Sequence, residues 1–348
     1  MEKKYFIDAN SAAGYVSLHE KSLVGIANVY HLKSWTDQLI HETLRHIETV
    51  LKEKKLALEY IYNTFNPKLL SGLVIRELST AFISGEEVIE RAKVTHLNSI
   101  FCKATIQENK KKLEHLEQVK QVLYKKSYMH LNAALHIHHE WEKIYIDRMD
   151  VKLADEFKEN LLHDLFDGVK ETTKAPVILR RFFGASTPDG LTDFIPELTD
   201  GLTRYFIKGR PGTGKSTLMK NVLKKAHALG YDVDVYHCSL DPNSLDMIVI
   251  PELELCLFDA TAPHEYEPTL KRDKLLDTYV AFIKKDTDER CASVLESIES
   301  KYKNQMTCAR AALKEASSLR YDIEAIYQSA EIPSKKEAIF TQLVDVCF

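Results

Sequence analysis

The second half of this chain repeats the first, and a repeat of this kind commits both halves to one architecture. With residues 30–85 laid over 205–260 at a constant offset, Tyr30-His-Leu-Lys33 falls on Tyr205-Phe-Ile-Lys208, and Asn66-Pro67 on Asp241-Pro242. Leu73-Val-Ile75 then meets Ile248-Val-Ile250 and Glu77-Leu78 meets Glu252-Leu253, without a gap. Upstream, one residue of slippage pairs Gly14 with Gly190 and Gly25 with Gly201. Two related modules are expected, 1–168 and 176–348, joined where Gly, Thr and Pro interrupt the pattern between Asp167-Gly168 and Lys174-Ala175-Pro176.

Each copy then enters a tract with neither Gly nor Pro, residues 86–167 and 269–332, rich in Lys, Glu, Leu and Ala. Such tracts read as helix, because the two strongest helix breakers are missing. Both carry an Ala-Ala-Leu step, at Ala133-Ala134-Leu135 and Ala311-Ala312-Leu313, and both copies end on a short amphipathic segment closing at Phe166 and Phe348. Tracts this long exceed an ordinary helix, so an antiparallel helical hairpin and a terminal helix are expected in each copy.

Within the second copy, Tyr205-Phe206-Ile207 leads like a strand into Gly209-Arg-Pro-Gly-Thr-Gly-Lys-Ser-Thr217. Leu218, Met219, Val222, Leu223 and Ala226 follow at helical spacing. Gly209, Gly214, Lys215 and Ser216 fill the G-x-x-x-x-G-K-[ST] pattern, and strand and helix flank it as its mechanism requires. Gly212 and Gly214 let backbone N–H groups turn toward a polyphosphate, and the new helix points its positive end at the same anion. Lys215 is expected on the outer phosphates, the Ser216 hydroxyl on Mg2+, and Thr217 on the α-phosphate. Arg210, Pro211 and Thr213 complete the loop, with Arg210 placed to touch phosphate.

Further signals run on from there. Thr187-Pro188-Asp189-Gly190 is a turn after a strand starting at Arg181-Phe182-Phe183, and Leu229-Gly230 is a helix stop. Asp232-Val-Asp-Val-Tyr236 alternates like a strand, as does Ile248-Val-Ile250, and Leu253 to Phe258 is an apolar strand ending on Asp259. An acid at such a strand end is where phosphate-loop proteins keep a metal-side carboxylate.

One copy serves as a control for the other. Gly209 to Thr217 lies over Ser34-Trp-Thr-Asp-Gln-Leu-Ile-His-Glu42, so the glycines are gone, Ile40 opposes Lys215 and His41 opposes Ser216. Ser84 opposes Asp259. Residues 1–85 are therefore expected not to bind a nucleoside triphosphate. Glu252 follows a strand near the motif, yet Glu77 holds its place in the copy without one, which assigns both a structural role. His237, Asp246, Asp259 and His264 have no like counterpart and stay candidates. His264 is read as sensing or positioning the γ-phosphate, and Glu265 as a solvated surface residue.

Composition bounds the rest. A net charge of -4 gives no electrostatic case for nucleic acid, and the Lys110-Lys-Lys run is interleaved with Glu114 and Glu117 as on a solvated helix face. No apolar run suits a membrane span or signal peptide, so a cytoplasmic chain is expected. Six cysteines lack C-x-x-C spacing and read as reduced thiols. Of His130, His136, His138 and His139, 136 and 139 share a helix face but 138 does not, and no acidic partner has diagnostic spacing, so a metal site is not expected.

Taken with Arg181-Phe-Phe-Gly-Ala-Ser-Thr-Pro-Asp-Gly190, Asp241-Pro-Asn-Ser-Leu-Asp246, Ile250-Pro-Glu-Leu253 and Asp259-Ala-Thr-Ala-Pro-His264, the phosphate-loop stretch makes the chain resemble bacterial tandem P-loop ATPases, mainly of Firmicutes. The resemblance implies an α/β fold of duplicated P-loop-type sheets with flanking helices and ATP with Mg2+ as cofactors. It also implies Gly209 to Thr217 as the phosphate loop and Asp259 as the metal-side acid. Members commonly carry the loop in both copies, whereas here the first has lost it. The expected activity is ATP hydrolysis by the second module, with Lys215, Asp259 and His264 in catalytic roles. The alternatives are a kinase passing the γ-phosphate to a small-molecule acceptor, and an ATP-gated module whose helices bind a protein partner.

Overall fold

The computed structural model describes residues 2–87 and 89–345; Cys347 and the expected closing residue Phe348 lie outside them. The first copy runs β1 (Lys3–Tyr5), β2 (Asp8–Ser11), β3 (Gly14–Ser17), α1 (His19–Ser22), β4 (Asn28–Lys33), α2 (Asp37–Glu53), β5 (Glu59–Asn63), β6 (Asn66–Ile75), β7 (Thr80–Ile83) and β8 (Lys93–His96). It continues with α3 (Lys103–Glu108), α4 (Lys110–Ile146) and α5 (Val151–Phe166). The second runs β9 (Ile178–Arg181), β10 (Gly184–Thr187), β11 (Gly190–Asp193), α6 (Ile195–Leu198), β12 (Thr203–Lys208), α7 (Lys215–Ala228), β13 (Val233–His237), β14 (Leu245–Ile250) and β15 (Leu255–Asp259). After these come β16 (Lys274–Asp277), α8 (Thr278–Phe282), α9 (Thr287–Arg290), α10 (Ala292–Ser329) and α11 (Pro333–Asp345).

Each copy builds a six-stranded mixed sheet, ordered β1-β5-β6-β7-β4-β8 in the first and β9-β13-β14-β15-β12-β16 in the second. Strand for strand the orders agree, and in each sheet one strand, β6 or β14, runs antiparallel to both neighbours. The turns repeat as well: Gly25 and Gly201 both hold φ +78°, and Gly14 and Gly190 close the β2–β3 and β10–β11 hairpins at φ +97° and +118°. Glu77 accepts the Ala57 N–H at 3.3 Å, and Glu252 accepts the Asp232 N–H, at the matching position, also at 3.3 Å. These glutamates hold the start of β5 and β13, the structural role that the comparison of copies assigns.

Alternate residues along each strand go to opposite faces. From the first sheet Tyr5, Ile61, Val74 and Ala81 meet Phe206, Met247, Val249 and Phe258 from the second in one shared core. At its middle Phe6 and Phe182, counterparts in the two copies, exchange backbone hydrogen bonds of 2.9 and 2.8 Å and so lie on a pseudo-two-fold axis. Both rings are fully buried, each worth roughly 1.5–3 kcal/mol of transfer energy. Arg181 is buried beside them, ion-paired to Glu59 at 2.9 Å and Asp234 at 3.2 Å, with its guanidinium 4.2 Å from the Tyr5 ring centre.

The helical tracts depart from expectation. Instead of a hairpin, each tract contributes an edge strand, β8 or β16, to its sheet and one long helix, α4 of 37 residues or α10 of 38, and the two long helices pair antiparallel with each other. Leu113 meets Ile323 and Ile326, Tyr124 meets Leu313 and Ala316, and Leu131 meets Ala309. Buried residues recurring at helical spacing, such as Leu123, Ser127, Leu131 and Ala134 on α4 and Ala309, Ala312, Leu313 and Ala316 on α10, give each helix a stripe that the other covers. The terminal helices are then exchanged. Leu161, Leu165 and Phe166 of α5 close the outer face of the second sheet with Leu218, Met219 and Val222 of α7. Leu343 of α11, with Ile339 and Phe340, closes that of the first, against Leu39, Leu44 and Ile47 of α2. The spans 1–168 and 176–348 are thus units of sequence, and each sheet is completed by a helix from the other span.

The exchange is symmetric. The Cys102 N–H bonds the Ala330 carbonyl at 2.7 Å, and the Lys284 N–H bonds the Arg148 carbonyl at 3.0 Å. Arg148 and Ala330 are therefore counterparts, and counting back from them Leu313 answers to Leu131. The two Ala-Ala-Leu steps are not in register. No helix among the described residues is long and apolar enough to cross a membrane.

Candidate functional site

The loop from Gly209 to Thr217 joins β12 to α7 at the end of the second sheet. β12 lies between β15 and β16, parallel to both, so the ends of three strands converge there. A methyl group on Gly209 would stand 2.3 Å from Thr278 Oγ1 and 2.4 Å from Thr213 Oγ1, so any side chain there would displace both hydroxyls. Those hydroxyls stitch the loop: Thr213 Oγ1 donates to the Arg210 carbonyl at 2.8 Å, and Thr278 Oγ1 to the Lys208 carbonyl at 2.9 Å. Gly212 and Gly214 sit in the left-handed region at φ +79° and +78°. Gly214 caps α7, whose first-turn N–H groups have no carbonyl within the helix to meet.

Lys215 is buried, and its Nζ donates to the Arg210 carbonyl at 2.9 Å and lies 3.5 Å from Asp259 Oδ2. The other Asp259 oxygen is taken by the following turn, accepting from the Thr261 N–H at 3.0 Å and its hydroxyl at 2.5 Å. Asp246 falls one step beyond the Met247–Phe258 pair, directly across from Asp259. Burial and the Asp259 charge push its carboxyl up to about 6, with His264 and Lys215 opposing. Two carboxylates and one ammonium thus crowd the strand ends beside the loop.

Ser216 Oγ accepts the Leu245 N–H at 2.9 Å. In the first copy His41 Nδ1 accepts the Leu70 N–H at 3.0 Å, and these residues are the counterparts of Ser216 and Leu245. That bond belongs to the shared fold; the Ser216 hydroxyl keeps its proton and a lone pair for other use. Arg210 is held by Asp288 at 3.0 Å, over the Tyr279 ring, and the Tyr145 hydroxyl donates to the same carboxylate at 2.7 Å. Thr217 is exposed on the first turn of α7, and Pro211 is partly exposed at the loop tip.

His264 is buried, its Nδ1 2.9 Å from Asp193 Oδ2 and its ring edge-on to Phe183. Burial works against ionising Asp193, yet hydrogen bonds from His264 and Tyr266 hold its carboxyl below the usual range. His237 is fixed at the end of β13 between the Pro242 carbonyl and Arg180. Glu265 is exposed. Among the described residues no group of three or more His, Cys, Asp or Glu could hold a metal ion.

Sequence reasoning did not find what covers the loop. α4 of the first copy crosses it so closely that a methyl on Gly212 would lie 2.3 Å from the Glu142 carbonyl oxygen and 2.7 Å from its Cα. Met149 Cε stands 3.8 Å from the place of a Gly214 methyl. One turn before Glu142, His138 Nδ1 lies 3.5 Å from the Glu142 carboxylate, and its ring centre is 6.0 Å from that of Tyr302 on α10.

The first copy shows what replaces a loop. Thr36 caps α2, accepting the Leu39 N–H at 3.3 Å, so the helix starts at Asp37, over the position of Gly212. Trp35 stacks on Phe101 and Tyr327. The Asp37 N–H donates to Glu324 Oε1 at 2.9 Å, and its carboxylate is ion-paired with Arg320. Ile40, in the place of Lys215, is packed into the core.

The fold defines an α/β protein of two duplicated six-stranded mixed sheets with flanking helices. No protein-family model, curated protein or solved structure matches the chain.

Proposed function

We propose that the second module binds ATP with Mg2+ and hydrolyses it, and that the first is a non-catalytic scaffold. The supporting observation is the Lys215 ammonium, laid across its own loop to the Arg210 carbonyl and 3.5 Å from Asp259 at the start of α7. A terminal phosphate on the loop would compete with that carbonyl for the ammonium. The first-turn N–H groups of α7 would hold the inner phosphates, aided by the helix dipole. Ser216 and Asp259 are hard oxygen donors of the kind Mg2+ takes alongside phosphate oxygens. When bound, the ion would neutralise charge gathering on those oxygens. Asp246, directly across from Asp259 at the strand ends, is placed to take a proton from an attacking water, and His264 braces that side of the site through Asp193. The reading agrees with the tandem ATPases that the sequence resembles.

Binding of ATP and ADP to the intact chain, with phosphate release, tests it against Lys215→Ala and Asp246→Asn. The expected result is loss of binding in the first variant and, in the second, loss of turnover with affinity within about twofold. An intact chain that binds neither nucleotide in the presence of Mg2+ overturns the proposal.

A further inference from the structure

The roof over the phosphate loop comes from the other copy. The Glu142 backbone rests on Gly212, and His138, one turn earlier on α4, lies on the same side. Its electrostatic neighbours are the groups of the candidate site, Lys215 and Asp259, together with His139 and Asp241.

The first copy supplies the comparison. Counting back from the paired Arg148 and Ala330, Glu324 holds in α10 the place Glu142 holds in α4, and Arg320 holds the place of His138. Arg320 reaches from α10 to the carboxylate of Asp37, the counterpart of Gly212, and Glu324 accepts the Asp37 N–H. In the copy without a cradle, then, the crossing helix grips an anion that the chain itself provides. In the copy with the cradle the loop has glycine at that position and brings no carboxylate.

Resting on the reading above, we propose that His138 completes the nucleotide site in trans, donating a hydrogen bond to the terminal phosphate of bound ATP and so coupling that phosphate to the α4–α10 pair. Burial and the Lys215 ammonium push the imidazole down to about 4, so the free ring is neutral near pH 7 and carries one N–H. A hydrogen bond to a charged oxygen from such a group is the stronger kind. ADP lacks the acceptor.

The test compares ATP and ADP affinity for the intact chain, His138→Ala and His138→Gln, with Lys215→Ala as the control that disables the loop itself. Thermal melting of each variant first establishes that it is folded. The expected result is that His138→Ala weakens ATP about tenfold and ADP less than about twofold, with His138→Gln, which keeps an N–H donor, recovering most of the loss. Hydrogen exchange in α4 should slow with ATP in the intact chain and not in His138→Ala. Equal losses for the two nucleotides, or none, overturn this assignment while leaving the ATP site standing. A chain that binds neither nucleotide overturns both.

Discussion

Glu324 Oε1 accepts the Asp37 N–H at 2.9 Å, so a carboxylate from α10 already fills the N-terminus of α2. A helix N-terminus attracts one anion, and here the chain has supplied it. The asymmetry between the copies is visible in this bond as much as in the missing glycines.

The two tryptophans report on the two copies separately, because Trp35 stacks beside α2 and Trp141 rides on α4 next to Glu142. ATP should change the emission of Trp35→Phe, which keeps Trp141, and leave that of Trp141→Phe unchanged. Fluorescence titration decides it; a response that follows Trp35 would place the nucleotide in the wrong copy.

Gly212 and Gly25 share a left-handed backbone but not their surroundings. A methyl on Gly25 meets nothing within 4 Å, whereas one on Gly212 meets the Glu142 backbone. Gly25→Ala should cost about 1 kcal/mol, the conformational term alone. Gly212→Ala adds overpacking and should cost about 3 kcal/mol in urea denaturation. Equal costs would mean that α4 yields freely over the loop.

Arg181 holds two acids at the pseudo-two-fold axis, and its removal leaves them buried. Arg181→Met should cost about 3–5 kcal/mol at pH 7. Burial opposes ionisation of Glu59, yet Arg181 and Arg76 hold its carboxyl down to about 2 from 4.5. A depressed folded value gives stability that is present above about pH 4.5 and lost as pH falls toward 2. Denaturant melts of the intact chain across that window should show the loss, and Arg181→Met should flatten it. A parallel profile in the variant would count against the assignment.

Ending the chain after Ile332 removes α11, whose apolar face covers the first sheet although the helix belongs to the second half of the sequence. Amide exchange should quicken in α2 and stay slow in α7. Faster exchange confined to the second sheet would contradict the exchange of helices.

What could be read from the sequence was local chemistry and what repeats. Gly25 and Gly201, Glu77 and Glu252, and the run from Gly209 to Thr217 all have their reason within a few residues or in their counterpart, and so the duplicated α/β sheets were legible. The long helices were legible, because the tracts lack Gly and Pro, but not their pairing, and the edge strands β8 and β16 inside the same tracts went unread. Leu131 and Ala309 meet across the whole second module, and nothing near either names its partner. For the same reason the Glu142–Gly212 contact left no trace, and His138 drew notice only as one of several nearby histidines.

The backbone exchange between Phe6 and Phe182 joins a position to its own repeat, which is what two identical chains related by a two-fold axis would do. In such a dimer every substitution appears at both loops at once. Linking the halves through residues 167–176 lifts that constraint: one loop can be given up, and its crossing helix refitted with Arg320 and Glu324, while the other keeps its glycines and faces His138.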